Sequence, residues 1–125
     1  MRPVKLPSLF ISLFIFLTAF SAAVPAQEVV EHPKPVRLRH INGVVVNAVG
    51  NSIPYALIEL RDATDHHVLA TNFADGNGKF SLPDRKRGEQ LEIRASIAGF
   101  KSAQYAISMA LIGKERLRVV LLAAK

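Results

Sequence analysis

The residues best suited to bind a charged partner are the consecutive cations Arg85-Lys86-Arg87. Such a run could contact an anionic partner, for example a lipid headgroup, an acidic glycan or a carboxylate-rich protein surface. Lys34, Arg37 and Arg39 would add to it if the fold brought the two segments together, which the sequence does not show. The simpler interpretation, a loop tip that promotes solubility, is typical of charge runs.

A metal site is suggested by His66 and His67, which adjoin Asp62 and Asp65. Zinc needs three or four convergent ligands, and neighbouring residues of a strand point to opposite faces, so the two histidines would not easily share one ion. Sharing is less strictly forbidden if both lie in a turn. The stretch 75–77 resembles the start of a calcium loop but lacks a third oxygen ligand and the closing glutamate. We therefore expect solvated turns and no metal.

Catalytic signatures are missing from the sequence. It contains no cysteine, no Gly-x-Ser-x-Gly element, no phosphate-binding loop and no cofactor fingerprint. These observations predict a protein that is not an enzyme and uses no cofactor. Sugar binding would need exposed aromatic side chains as stacking platforms. Only Tyr55 and Tyr105 are expected to face outward, and there is no tryptophan.

The N-terminus has the pattern of a secretory signal peptide over residues 1–26. Arg2 and Lys5 precede a largely apolar stretch over 6–20, and small residues follow up to Ala26. Cleavage is expected after Ala26, with Ala23 as a second option, and an uncleaved membrane anchor is the alternative. The pattern predicts export, to the periplasm or the extracellular space.

The remaining 99 residues, 27–125, have the length of one domain. With 14 basic and 10 acidic side chains their net charge is +4, which is too modest to predict nucleic-acid binding. No disulfide can stabilise the fold, so packing and strand pairing must. Residues 27–37 contain Pro33 and Pro35 and are predicted to form a linker or mobile arm, ahead of a domain at 38–125.

From residue 38 onward, apolar residues alternate with polar ones, which predicts strands. Ile58 and Ile93 are expected to be core residues of opposed sheets. Asp75 to Gly78 is predicted to form a tight turn, and Gly43 marks a bulge or a close approach. The prediction is an all-β, seven-stranded antiparallel Greek-key sandwich, with strands at 39–46, 53–60, 68–73, 79–82, 91–97, 100–108 and 116–122.

These segments also resemble a known family. The Gly43 strand, Pro54 with the inward Ala56, Ile58 and Leu60, the Asp75/Gly78/Phe80 turn, and Ala98-Gly99-Phe100 are similar to the carboxypeptidase regulatory-like domains, which are transthyretin-like (prealbumin-like) seven-stranded sandwiches. The resemblance covers about 41–122, with one departure at Tyr55, where the family usually has glycine. It implies an accessory or binding module, often attached to exported enzymes or outer-membrane receptors, that is not itself catalytic.

We therefore expect an exported, non-catalytic module for protein interaction or ligand binding at the cell envelope. Its partner would be an envelope protein or an anionic surface ligand; nucleic acid is not expected, and a membrane is expected only through an uncleaved signal anchor. The first alternative is a carbohydrate-binding domain. The second is a transthyretin-like hydrolase, which the C-terminus argues against, because that family ends in Tyr-Arg-Gly-Ser and this chain does not.

Overall fold

The computed structural model describes residues 28–124, which form eight β-strands in two sheets and the connections between them. The predicted signal peptide, 1–26, lies outside these residues. One sheet has the strand order β1-β7-β6-β3-β4, and the other has the order β5-β2-β8. The strands are β1 (Val29–Leu38), β2 (Asn42–Asn47), β3 (Leu57–Asp62), β4 (Val68–Phe73), β5 (Lys79–Ser81), β6 (Gln90–Ser96), β7 (Ser102–Met109) and β8 (Leu117–Leu121).

The predicted all-β fold with two sheets is confirmed, and its core follows from the alternation of apolar residues. Ile58 and Leu60 of β3 are fully buried, as is Ile93 of β6, which lies directly opposite Leu60. Each such side chain stabilises the fold by about 1.5–3 kcal/mol through burial. One detail of the prediction is wrong: Ile58 and Ile93 belong to neighbouring strands of the same sheet, not to opposed sheets. Nothing in residues 28–124 forms a helix that could cross a bilayer.

The segment predicted to be a linker is an edge strand. Ten residues, Val29–Leu38, form β1 and pair with β7, and the register shifts between His32 and Val36. Both prolines fall at that irregularity; a missing N–H is tolerated there because an edge strand needs fewer donors. The His32 ring stacks on the Tyr105 ring, with centroids 4.1 Å apart. Residues 28–124 therefore form eight strands where seven were predicted.

The pairing is also mixed, not antiparallel throughout. β1 runs parallel to β7, and β2 runs parallel to β8. The alternation of apolar residues has the same period in both kinds of sheet, so it cannot distinguish them. Parallel pairing of β1 and β7 places Leu38 opposite Met109, so both strands end at the same end of the sheet.

The turn from Asp75 to Gly78 and the approach at Gly43 agree with their predicted roles. Asp75 Oδ1 accepts hydrogen bonds from the N–H groups of Lys79 and Asn77, both at 2.9 Å, and Gly78 has φ 78°. The Lys79 and Asn77 N–H groups hold the pKa of Asp75 below its usual range. At Gly43, a β-carbon would lie 2.3 Å from the Leu117 carbonyl oxygen, so only glycine fits.

Candidate anion-binding surface

Three segments meet where β1 and β7 end, and together they form a surface that we call the basic end. The backbone joins them: Arg39 N–H donates to the Lys114 carbonyl at 3.0 Å, and Gly88 N–H donates to the Met109 carbonyl at 3.2 Å. The predicted Arg85-Lys86-Arg87 run thus lies beside the last residues of β1. The basic end consists of residues 34–39, 83–89 and 110–116.

The basic end concentrates the positive charge of the molecule. It holds eight Lys and Arg side chains and three carboxylates, which give a net charge of +5. The rest of residues 28–124 holds five Lys and Arg side chains and seven carboxylates, which give a net charge of −2. All eight cations are exposed. Clustering of this kind creates a positive potential that attracts anions even when the whole protein is only mildly basic. The eight are Lys34, Arg37, Arg39, Arg85, Lys86, Arg87, Lys114 and Arg116.

Most of these cations keep their full charge available. Arg85 is neutralised by Glu89, whose Oε2 accepts from Nε at 3.1 Å and from Nη2 at 2.9 Å. Arg39 lies 3.6 Å from Glu115. The other six have no ion-pair partner within the described part of the chain. Within the predicted triplet, therefore, Lys86 and Arg87 are free to bind an anion and Arg85 is not.

A cavity of 360 Å³ opens between the β1–β2, β5–β6 and β7–β8 connections, with Arg39, Arg85 and Arg87 among its lining residues. Asp84 braces this cavity: its Oδ2 lies 2.9 Å from His40 Nδ1, and its Oδ1 accepts from the Ile41 N–H at 3.2 Å. These two partners, His40 first, hold the pKa of Asp84 below its usual range. The carboxylate is engaged with the β1–β2 connection, so it competes little with an external anion.

A second cavity of 370 Å³ adjoins the first and shares Arg39 with it. Lys79 and Arg116 also line it, as does Asn42. The Asn42 Oδ1 atom is buried and lacks a hydrogen-bond partner among residues 28–124. A buried acceptor of this kind is costly unless a donor reaches it. What the second cavity adds to the surface is therefore its two further cations, Lys79 and Arg116, beside the shared Arg39.

The two tyrosines predicted to be exposed have different environments. Tyr55 is 65% exposed, at the opposite end of β3 from Asp62, and it has φ 64°. Tyr105 is only 8% exposed: its hydroxyl accepts from the Val120 N–H at 3.0 Å. The prediction that Tyr105 faces outward is wrong, and its ring is not available to stack on a sugar. Its place in the alternation Ala103, Tyr105, Ile107, Met109 is the signal that identifies it as inward.

The histidine pair at the β3–β4 turn contacts two different carboxylates. His67 Nδ1 lies 2.5 Å from Asp65 Oδ1, and these two groups, with Asp62, have ligand atoms within 4.8 Å of one another. The His67 backbone N–H and then its ring hold the pKa of Asp65 below its usual range. His66 turns away, with φ 64°, and its Nδ1 lies 2.7 Å from Glu92 Oε1.

Glu92 is the centre of a polar network that the sequence did not indicate. This carboxylate is buried on the outer face of the five-stranded sheet. Gln104 Nε2 donates to its Oε2 at 3.2 Å, and Arg61 Nε lies 3.8 Å from its Oε1. Arg94 donates to Gln104 Oε1 at 2.8 and 3.0 Å. Partners within the network satisfy both Glu92 oxygens, so we assign it a structural role.

Comparison with protein-family models and with curated proteins finds no match for this chain. Among solved structures, similar folds include a variant of catechol 1,2-dioxygenase from Acinetobacter radioresistens, at 13% identity and TM-score 0.48, covering 93% of this chain and 69% of that one. Another is 3-chlorocatechol 1,2-dioxygenase from Rhodococcus opacus, at 12% identity and TM-score 0.48, covering 81% of this chain and 68% of that one. A third is catechol 1,2-dioxygenase from Pseudomonas arvilla, at 10% identity and TM-score 0.49, covering 93% of this chain and 69% of that one.

These neighbours correct one expectation. All three proteins are enzymes, which contradicts the prediction that the chain is not an enzyme, and we withdraw that prediction. At 10–14% identity and TM-scores below 0.5 the similarity assigns neither a family nor an activity.

Proposed function

We propose that this chain is an exported β-sandwich module of the cell envelope that binds an anionic partner through the basic end. The observation that carries the proposal is the meeting of the three segments into one exposed surface of net charge +5. Support for export comes from the signal-peptide pattern over residues 1–26. The partner would be an envelope protein or a surface ligand that presents phosphate, sulfate or carboxylate groups.

The proposal includes the finer fold assignment, a Greek-key sandwich of the carboxypeptidase regulatory-like, transthyretin-like type, with β1 added at one edge. Two features support it. Residues 42–124 contain seven strands, which is the number expected for that family. Tyr55 also takes a left-handed backbone conformation at the position where the family usually has glycine, the residue that adopts it most readily.

Binding would rest on charge and on the geometry of guanidinium groups. Arginine presents several N–H donors in a fixed plane and can bond two oxygens of a phosphate or carboxylate at once. Arg87 is exposed, lines the 360 Å³ cavity and has no ion-pair partner within residues 28–124. Because the surface is exposed, its affinity for anions should fall steeply with salt. The carbohydrate alternative loses one of its two predicted stacking platforms, because Tyr105 is buried; Tyr55 and Phe73 are the exposed aromatic side chains of the described residues.

The test is elution of the protein by a salt gradient from immobilised heparin, which is a sulfated polyanion. Arg87→Ser should elute at clearly lower salt than the unmodified protein. Arg118→Ser is the matched control, because Arg118 is also an exposed arginine without an ion-pair partner in the described residues and lies outside the basic end. Equal shifts for the two variants would overturn the proposal, since total charge alone would then explain retention.

A further inference from the structure

Two neighbouring aliphatic side chains project from the middle of the basic end. Leu111 is 66% exposed and Ile112 is 88% exposed, both in the β7–β8 connection. Single exposed apolar residues are common on soluble proteins and need no explanation. Here two adjacent ones lie at the centre of a strongly basic surface, and that combination calls for a partner with both anionic and apolar parts.

Cations flank the pair on both sides. Ile112 lines a cavity of 530 Å³ together with Lys34, Arg37 and Lys114. Leu111 lines the 360 Å³ cavity whose cations are Arg39, Arg85 and Arg87. The aliphatic pair is thus bordered by six basic side chains, and all of them except Arg39 and Arg85 lack an ion-pair partner within residues 28–124.

The β7–β8 connection is held firmly against β1. Ala110 N–H donates to the Leu38 carbonyl and Lys114 N–H donates to the Arg37 carbonyl, both at 2.9 Å. A β-carbon on Gly113 would lie 2.9 Å from the Arg37 oxygen, so the glycine permits this close approach. The projection of Leu111 and Ile112 is therefore built into the backbone, and little ordering would be needed on binding.

We propose that the basic end docks on a lipid bilayer that contains anionic lipids. Leu111 and Ile112 enter the boundary between headgroups and acyl chains, and those flanking cations that have no ion-pair partner in residues 28–124 contact the lipid phosphates. The inference rests on the proposed function and names its partner. A bilayer provides a dense layer of phosphates directly above an apolar layer, which matches cations surrounding an aliphatic projection. A soluble polyanion would engage the cations but leave both aliphatic side chains in water.

The experiment is sedimentation of the full chain with vesicles of phosphatidylglycerol and phosphatidylcholine, compared with pure phosphatidylcholine. Neutral vesicles control for any binding through the apolar N-terminal segment. We expect preference for the anionic vesicles and a loss of at least about tenfold in their binding for the Leu111→Ser/Ile112→Ser variant. Val49→Ser/Phe73→Ser, which removes two exposed apolar side chains elsewhere, should bind like the unmodified protein.

A fluorescence measurement tests insertion independently. The chain has no tryptophan, so Ile112→Trp would contain a single reporter. Its emission should shift to shorter wavelength when anionic vesicles are added, whereas that of Val49→Trp should not. An unshifted Ile112→Trp, or full binding by the double serine variant, would overturn the inference.

Three further outcomes show whether this inference fails alone or together with the proposed function. Arg87-dependent retention on heparin without preference for anionic vesicles would overturn the bilayer inference and leave the proposed function standing. Loss of vesicle binding in the presence of millimolar glycerol phosphate would also overturn it, because the soluble headgroup would then be sufficient. A protein that binds neither heparin nor vesicles refutes both.

Discussion

Replacing Gly43 with alanine would add a methyl group where β2 passes closest to β8 and β5. The new β-carbon would lie 2.3 Å from the Leu117 carbonyl oxygen and 2.7 Å from Cζ of Phe80, whereas ordinary contacts begin at 3.4 Å. The backbones would have to separate by about 1 Å, in an interior packed like a crystal. Overpacking of this kind costs about 1–3 kcal/mol, and we expect the upper end because one of the opposing atoms is backbone.

Replacing glycine with alanine also makes the unfolded chain less flexible, and this offsets about 0.4–1 kcal/mol of the overpacking cost. The net expectation is a loss of about 2 kcal/mol in the free energy of unfolding, measured by urea titration with far-ultraviolet circular dichroism. For a domain of this size that corresponds to about 8–16 °C in the midpoint of thermal unfolding.

Gly76→Ala is the control, because a β-carbon there would meet only the Tyr55 ring, with the hydroxyl oxygen nearest at 3.2 Å. It should change stability by less than about 0.5 kcal/mol. In a Phe80→Leu background, Gly43→Ala should still destabilise, since the Leu117 oxygen remains. If Gly43→Ala and Gly76→Ala were equally mild, the packing of β2 against β8 described here would be refuted.

Three further predictions concern the core, the strained turn and pH. Ile58→Ala and Ile93→Ala should each lower the unfolding free energy by about 2–5 kcal/mol, because both side chains are fully buried; a silent substitution in urea titration would mean a register error of one residue. Tyr55→Gly should raise the unfolding free energy by about 1 kcal/mol, because it relieves the left-handed conformation at φ 64°. Tyr55→Ala retains a β-carbon and should not raise it. Equal effects of the two substitutions would contradict backbone strain at this position. The pKa of Asp84 is lower in the folded protein because His40 bonds the carboxylate, so its contribution is present above the unfolded pKa and disappears as pH falls through the folded one. Asp84→Asn should therefore be less stable than the unmodified protein in urea titration at pH 6, and the difference should shrink as the pH is lowered through the acidic range. A difference that stays constant with pH would argue against this coupling.

Local patterns were sufficient to predict the buried faces of β3 and β6, because alternation over six or seven residues determines which face is buried. The bounds of β3 were predicted less well, since it begins at Leu57 and not at residue 53. The same reasoning predicted the Asp75–Gly78 turn, because its hydrogen bonds are local: the Asp75 side chain accepts from the N–H groups of Asn77 and Lys79. It failed for β1 because Pro33 and Pro35 suggest a linker unless a neighbouring strand is present. That neighbour, β7, lies about 70 residues further along the chain, and no local pattern reports it.

The amino-acid sequence by itself determined the period of the strands, the lack of disulfides and the charge of each basic segment. Whether those segments act together was decided only by tertiary structure. Because β1 and β7 pair in parallel, both strands end at the same end of the sheet, and Lys34–Arg39 lies beside the loop that carries Leu111 and Ile112. Antiparallel pairing of the same two strands would have placed these segments at opposite ends of the sheet. A protein of the same composition would then have no basic end.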